Sequence, residues 1–179
     1  MSVFRDKRLV PLISQQKIAD RVKELGEQVT LHYANVSDPL VLLGVLKGSV
    51  IFLADLVRTI DLPLEMEMIG VSSYGEATTS SGVVRITQDL ERPIKHKHVL
   101  IVEDIFDTGL TIKYLVDNLA SREPKSIKIC TLLKKDATSR VDIKPDFIGF
   151  TIPDAFVVGY GLDVAERYRN LPMVAIYQP

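Results

Sequence analysis

The apolar positions of this chain follow two different rhythms. Residues 40–46 (LVLLGVL) and 99–102 (VLIV) are continuous aliphatic runs without alternation, the pattern of strands covered on both faces. Each run leads through a glycine turn into helical spacing. Val50, Leu53, Leu56, Val57 and Ile60 follow the first run, and Ile112, Leu115, Val116 and Leu119 follow the second. Earlier in the chain, Ser14 suits the N-cap of a helix whose apolar stripe is Ile18, Val22, Leu25 and Val29, with Lys17, Asp20, Arg21, Lys23 and Glu24 facing solvent. Leu64, Met66 and Met68 alternate with Glu65 and Glu67, which predicts a strand with its carboxylates on a wet face. Residues 83–87, 126–133, 146–150 and 173–177 are further strand candidates, residues 90–98 a charged connector, and the small polar stretch 72–82 a mobile loop. Strands and helices alternate from residue 40 to about 133, which predicts an α/β fold with a largely parallel central sheet flanked by helices. No repeat or low-complexity linker divides the chain, so a single domain over residues 1–179 is expected.

Charge and composition narrow the partners. With 22 basic and 23 acidic residues the formal charge is -1, so nothing global attracts nucleic acid or an anionic membrane. Neither a signal peptide nor a run of membrane-spanning length is evident, and a cytoplasmic location is expected. Cys130, the one cysteine, lies in an apolar run and reads as a core residue. His32, His96 and His98 match no metal-ligand spacing and read as surface groups.

The chemistry concentrates in residues 103–111, Glu-Asp-Ile-Phe-Asp-Thr-Gly-Leu-Thr. Gly109 permits a tight turn, and the free N–H groups of the helix that follows attract an anion. Glu103, Asp104 and Asp107 would repel a bare phosphate. A ribose, whose hydroxyls donate to carboxylates, and a divalent cation reconcile the two halves of the motif. The plainer alternative is a strand-to-helix turn in which Asp107 or Thr108 is an N-cap. Lys47, between Leu46 and Gly48, is likewise either a solvated turn residue or an anion ligand. Walker A and Gly-x-Gly-x-x-Gly patterns are absent.

An apolar strand, Glu-Asp, two apolar residues, Asp-Thr-Gly, one residue and Thr resembles the diphosphoribosyl-binding motif of the purine phosphoribosyltransferases. Leu46-Lys47-Gly48, Ser72-Ser73-Tyr74-Gly75, Lys135, Pro145-Asp146-Phe147 and the stretch from Phe156 to Asp163 narrow the resemblance to the hypoxanthine-guanine branch, over about residues 40 to 170. The resemblance implies the type I phosphoribosyltransferase fold with a small base-binding hood and a closing loop. It implies that a 6-oxopurine (hypoxanthine or guanine) and phosphoribosyl diphosphate become nucleoside monophosphate and diphosphate, with Mg2+ as cofactor. It also implies a homo-oligomer, dimer or tetramer.

Residue by residue, the same resemblance assigns Glu103 and Asp104 to the ribose hydroxyls and Mg2+, and Thr108, Gly109, Leu110 and Thr111 to the 5-phosphate. Asp107 becomes the general base. Lys47 and Gly48, preceded by a non-proline cis peptide, and Ser73 and Tyr74 on the loop serve the diphosphate. Lys135 donates to the base's O6, Phe156 stacks on it, and backbone groups at Val157 and Asp163 read its far edge. Asp163 and Arg169 order Mg2+ and diphosphate. Phe106, Lys134, Asp136 and Gly161 depart from the usual pattern, which leaves the choice among hypoxanthine, guanine and xanthine open. A rival reading is a regulatory protein that keeps the site as a nucleotide sensor and binds RNA or a partner protein. The near-neutral charge and the full set Lys47, Asp107, Lys135, Phe156 and Asp163 count against it.

Overall fold

The computed structural model describes residues 6–73, 84–136 and 140–179. The two continuous apolar runs become neighbouring central strands. β1 (Leu9–Ile13) and α1 (Gln15–Tyr33) precede β2 (Leu40–Leu46), α2 (Val50–Val57), β3 (Leu64–Ser73) and β4 (Val84–Gln88). β5 (His98–Phe106), α3 (Leu110–Ala120), β6 (Ser126–Lys135), β7 (Phe147–Ile152), β8 (Val157–Val158) and β9 (Val174–Tyr177) complete the order. A six-stranded sheet runs β4-β3-β2-β5-β6-β7, parallel except for the antiparallel edge strand β4. A second sheet, β1-β9-β8, is antiparallel and forms the hood.

The lack of alternation in β2 and β5 follows from helices on both faces. Leu40 and Leu42 of β2, with Leu100 and Val102 of β5, pack with Ile18, Val22, Leu25 and Val29 of α1 and Phe52, Leu53 and Leu56 of α2. The intervening Val41, Leu43, Val45, Val99 and Ile101 pack with Ile112, Leu115 and Leu119 of α3. Ser14 caps α1 as its sequence predicts, its hydroxyl accepting from the Lys17 N–H at 3.4 Å. Cys130 is buried in the core, where burial pushes its thiol pKa upward.

Four expectations are corrected. In β3 the wet position is Met66, while Glu67 is buried and accepts from the Glu91 N–H at 3.1 Å. The connector after β4 folds over that face, and Lys97 pairs with Glu65 at 2.7 Å. Ile60 is buried but lies beyond the end of α2. His98 is part-buried rather than superficial, its Nδ1 2.6 Å from the Ser126 hydroxyl. β5 does not stop where its apolar residues stop: it continues through Glu103 and Asp104 to Phe106, because β6 keeps pairing with it as far as Lys134. The expected loop at 72–82 lies outside the described residues from Tyr74 onward.

Candidate active site

The C-terminal ends of the parallel strands carry Lys47, Glu103 to Thr111 and Lys135, as expected where connections leave an open α/β sheet, and the segment from Phe156 to Arg169 faces them. β5 ends beside β6 with Phe106 opposite Lys134. That register brings Asp107, just past β5, against Lys135, the last residue of β6. The Lys135 ammonium lies 3.2 Å from Asp107 Oδ2 and 3.0 Å from Asp154 Oδ1, with only 12% of its side chain exposed. Burial lowers its pKa, but the two carboxylates outweigh burial and the net shift is upward, so it stays a charged donor. A cavity of about 290 Å3 opens here, lined by Asp104, Ile105, Asp107, Lys135, Ala155, Phe156, Val157, Leu162 and Asp163. Val157 is buried in β8, whereas Phe156 beside it is 55% exposed. An exposed aromatic ring on a cavity wall offers a planar ligand a stacking surface.

Glu103 and Asp104 alternate across the sheet. Asp104 borders the cavity, its Oδ1 accepting from the Ile105 N–H at 2.7 Å. Desolvation pushes its pKa up to about 6. Glu103 is buried on the α3 side and is not part of the cavity wall. Desolvation and its charged neighbour raise its pKa well above the ordinary value, and its Oε2 has no hydrogen-bond partner. Both carboxylates are costly to keep charged in the unliganded chain.

Beyond β5 the chain turns through Gly109, which sits at φ +79° as the N-cap of α3. Neither Asp107 nor Thr108 is that cap. Leu110 and Thr111 form the first turn of the helix, and Thr108 accepts through its carbonyl from the Arg140 N–H at 2.9 Å.

A second turn enters from β2. The Leu46–Lys47 peptide is cis. A Cβ on Gly48 would lie 1.6 Å from Asp104 Oδ2, so glycine is what allows this turn to lie on the carboxylate. Gly161, at φ +105°, closes on the other side: a Cβ there would lie 2.0 Å from the Gly48 carbonyl oxygen. The unusual glycine at 161 is therefore required by its own backbone and by its neighbour. Arg169 donates to the Gly161 carbonyl at 2.8 Å and pairs with Asp163 Oδ1 at 2.8 Å. The Tyr160 hydroxyl donates to Asp55 of α2 at 2.6 Å, tying this segment to the helix that follows Gly48.

Sequence reading missed Asp154, Glu166 and the Asp55–Tyr160 bond. Asp154 had a faint signal, an acid three residues ahead of the Val157–Gly161 stretch; the link from Glu166 to Lys47 and that from Tyr160 to Asp55 had none, because those partners lie across the fold. Ser73 closes β3 opposite Val84, and Tyr74 lies outside the described residues.

Comparison with known proteins identifies the family. The phosphoribosyl transferase domain family matches residues 12–165. The chain is 53% identical over 168 residues to a hypoxanthine-guanine phosphoribosyltransferase of Bacillus subtilis, covering 94% of this chain and 92% of that protein. It is 52% identical over 161 residues to a hypoxanthine phosphoribosyltransferase of Haemophilus influenzae, covering 89% and 90%. A crystal structure of a hypoxanthine phosphoribosyltransferase from Staphylococcus aureus superposes with a TM-score of 0.93 at 44% identity, covering 99% of this chain and 96% of that one. The chain is thus an enzyme of the phosphoribosyl transferase domain family and belongs to its hypoxanthine-guanine phosphoribosyltransferase branch.

Proposed function

We propose that this enzyme salvages purines by transferring the 5-phosphoribosyl group of phosphoribosyl diphosphate to hypoxanthine or guanine. The observation that carries the reading is the donor–acceptor pair Lys135 and Asp107, 3.2 Å apart on one cavity wall. A 6-oxopurine presents the complementary pair on one edge: O6 accepts, and a protonated N7 donates. Adenine presents an amino donor at position 6 and so sets donor against donor at the ammonium, which keeps only its carboxylate partners Asp107 and Asp154.

The remaining residues divide the work. Phe156 stacks on the base, and backbone groups at Val157 and Asp163 meet its opposite edge. Asp104, on the cavity, accepts from the ribose hydroxyls, and Glu103 joins it once its buried carboxylate turns toward the ligand, while Thr108, Gly109, Leu110 and Thr111 hold the 5-phosphate at the N-terminus of α3. Lys47, Gly48 and Arg169, with Ser73 and Tyr74, take the diphosphate. As N9 bonds to the anomeric carbon, the bond from that carbon to diphosphate oxygen breaks, and the N7 proton passes to Asp107.

The donor set also suits Mg2+. Among the described residues no three His, Cys, Asp or Glu side chains gather into a cage, but Mg2+ commonly takes only one or two carboxylates and completes its shell with phosphate oxygens and water. Asp104 and Asp163 on the cavity, and the unpartnered oxygen of Glu103, are donors of that kind. The ion, when bound, neutralises diphosphate charge. We assign the enzyme to the cytoplasm and to a homo-oligomer, dimer or tetramer, which light scattering on the purified chain tests.

The central test is to supply phosphoribosyl diphosphate and Mg2+ with each nucleobase in turn. Hypoxanthine and guanine should give their monophosphates. Adenine should be disfavoured in kcat/KM by about 10- to 100-fold or more, the cost of setting its amino donor against the Lys135 ammonium in place of an acceptor. Equal values for all three bases would remove Lys135 from base recognition, and no monophosphate from any base would overturn the proposal.

A further inference from the structure

Beside the cavity, one carboxylate holds two cations. Glu166 Oε2 lies 3.2 Å from the Lys47 ammonium, and its Oε1 lies 3.3 Å from the Arg169 guanidinium. Lys47 belongs to the turn after β2 and Arg169 to the segment between β8 and β9, so the two cations meet only through the fold. Glu166 itself stands at φ +60°, and its N–H donates to Asp163 Oδ2 at 2.8 Å. Its side chain is 64% exposed, so packing does not hold it there. Exposed ion pairs of this kind contribute little to stability. What the arrangement does is place one anion, each oxygen on a different cation, across two loops.

A diphosphate makes the same kind of bridge with more charge and more oxygens. We propose that Glu166 is a built-in competitor for diphosphate: its carboxylate occupies Lys47 and Arg169 between turnovers, gives way when the diphosphate of the substrate arrives, and recovers the two cations as product diphosphate leaves. The inference rests on the reading of Lys47 and Arg169 as diphosphate ligands. Arg169 keeps its position without Glu166, because it also bonds to the Gly161 carbonyl and to Asp163. Removing the carboxylate therefore frees charge without loosening the guanidinium.

Titration of inorganic diphosphate with Mg2+ into the full chain, followed by calorimetry, tests this on the unaltered protein, Glu166→Gln, Glu166→Gly and Lys47→Ala. Gln preserves the shape of Glu166, and Gly suits its positive φ. Both Glu166 variants should bind diphosphate more tightly, by about two- to ten-fold, the range expected when exposed ion pairs no longer compete. Binding of inosine monophosphate, which carries no diphosphate, should stay unchanged and reports an intact fold. Unchanged or weaker diphosphate binding in a Glu166 variant that still binds the monophosphate overturns the competitor role. Unchanged diphosphate binding in Lys47→Ala instead overturns the underlying assignment of Lys47.

Discussion

Two strand-turn-helix units, β2 to α2 and β5 to α3, look alike in sequence and differ in what makes their turns work. In the β5 unit the glycine answers to its own backbone: Gly109 adopts φ +79° and starts the helix. In the β2 unit the glycine answers to a neighbour, because a Cβ on Gly48 would strike the Asp104 carboxylate. One turn needs glycine for its own backbone angle, whatever packs around it, and the other needs glycine for a side chain more than fifty positions away in the sequence. Glycine in a turn can thus record either local conformation or a close approach. Only the first is visible in the adjoining pattern.

Substitutions at the two units break this comparison in graded ways. The largest effect belongs to the β5 unit's proposed base, in Asp107→Asn, whose amide keeps the shape but does not accept the transferred proton. Single-turnover rates should fall by about 100- to 10,000-fold while monophosphate binding persists. An unchanged chemical step would take the base role away from Asp107.

Gly48→Ala should come next. The methyl group displaces the Asp104 carboxylate from the position in which it is proposed to meet the ribose, and misplacements near 1 Å cost on the order of 100-fold in rate. Denaturant unfolding should move much less than kcat/KM does. A variant with full activity would show that the contact at Asp104 is readily relieved.

Gly109→Ala should act mainly on stability. Left-handed backbone is unfavourable for alanine, and the new Cβ would lie 2.5 Å from Val141 Cγ2 and 2.8 Å from Phe106 Cζ. A loss of about 2 to 4 kcal/mol in urea unfolding is expected. Equal stability losses at Gly48 and Gly109 would erase the distinction between the two turns.

Asp104→Asn gives the smallest and most diagnostic change. The folded carboxyl has a pKa near 6, above its unfolded value near 4, so the folded state holds this proton more tightly than the unfolded state does. With Mg2+ chelated, this group's contribution favours folding as pH falls from above 6 towards 4, and the cost of its charge is fully present near neutral pH. Solvent in the cavity tempers the effect. The amide variant should therefore melt higher than the unaltered chain at about pH 7.5, by roughly 1 to 3 kcal/mol, with the gap closing near pH 4. A gap independent of pH would assign it to something other than the carboxyl charge. The same substitution should depress activity, since an amide is a poorer ligand for ribose hydroxyls and Mg2+.

The alternation of strands and helices, the Ser14 cap, the covered strands at 40–46 and 99–102 and the motif at 103–111 were legible because their signals are periodic or lie within one turn of the chain. The hood was not. β1 contains Pro11, β8 is only two residues long, and the strand that joins them, β9, lies at the opposite end of the chain from β1. Glu67 carried an alternating pattern that points outward, and the connector folding over it reversed its meaning.

The sequence by itself determined the α/β class, the two turns and the residue types a phosphoribosyl site needs, because helix period, strand covering and capping act over a few residues. Tertiary structure decided which of those residues meet. The β5–β6 register sets Lys135 against Asp107, the close approach of Gly48 and Gly161 joins the segment after β8 to the turn after β2, and Glu166 reaches Lys47 across 119 positions. The physical reason is that local backbone rules carry no information about partners brought together by packing, whereas distance and desolvation, which set how strongly charges interact, exist only once the sheet has formed.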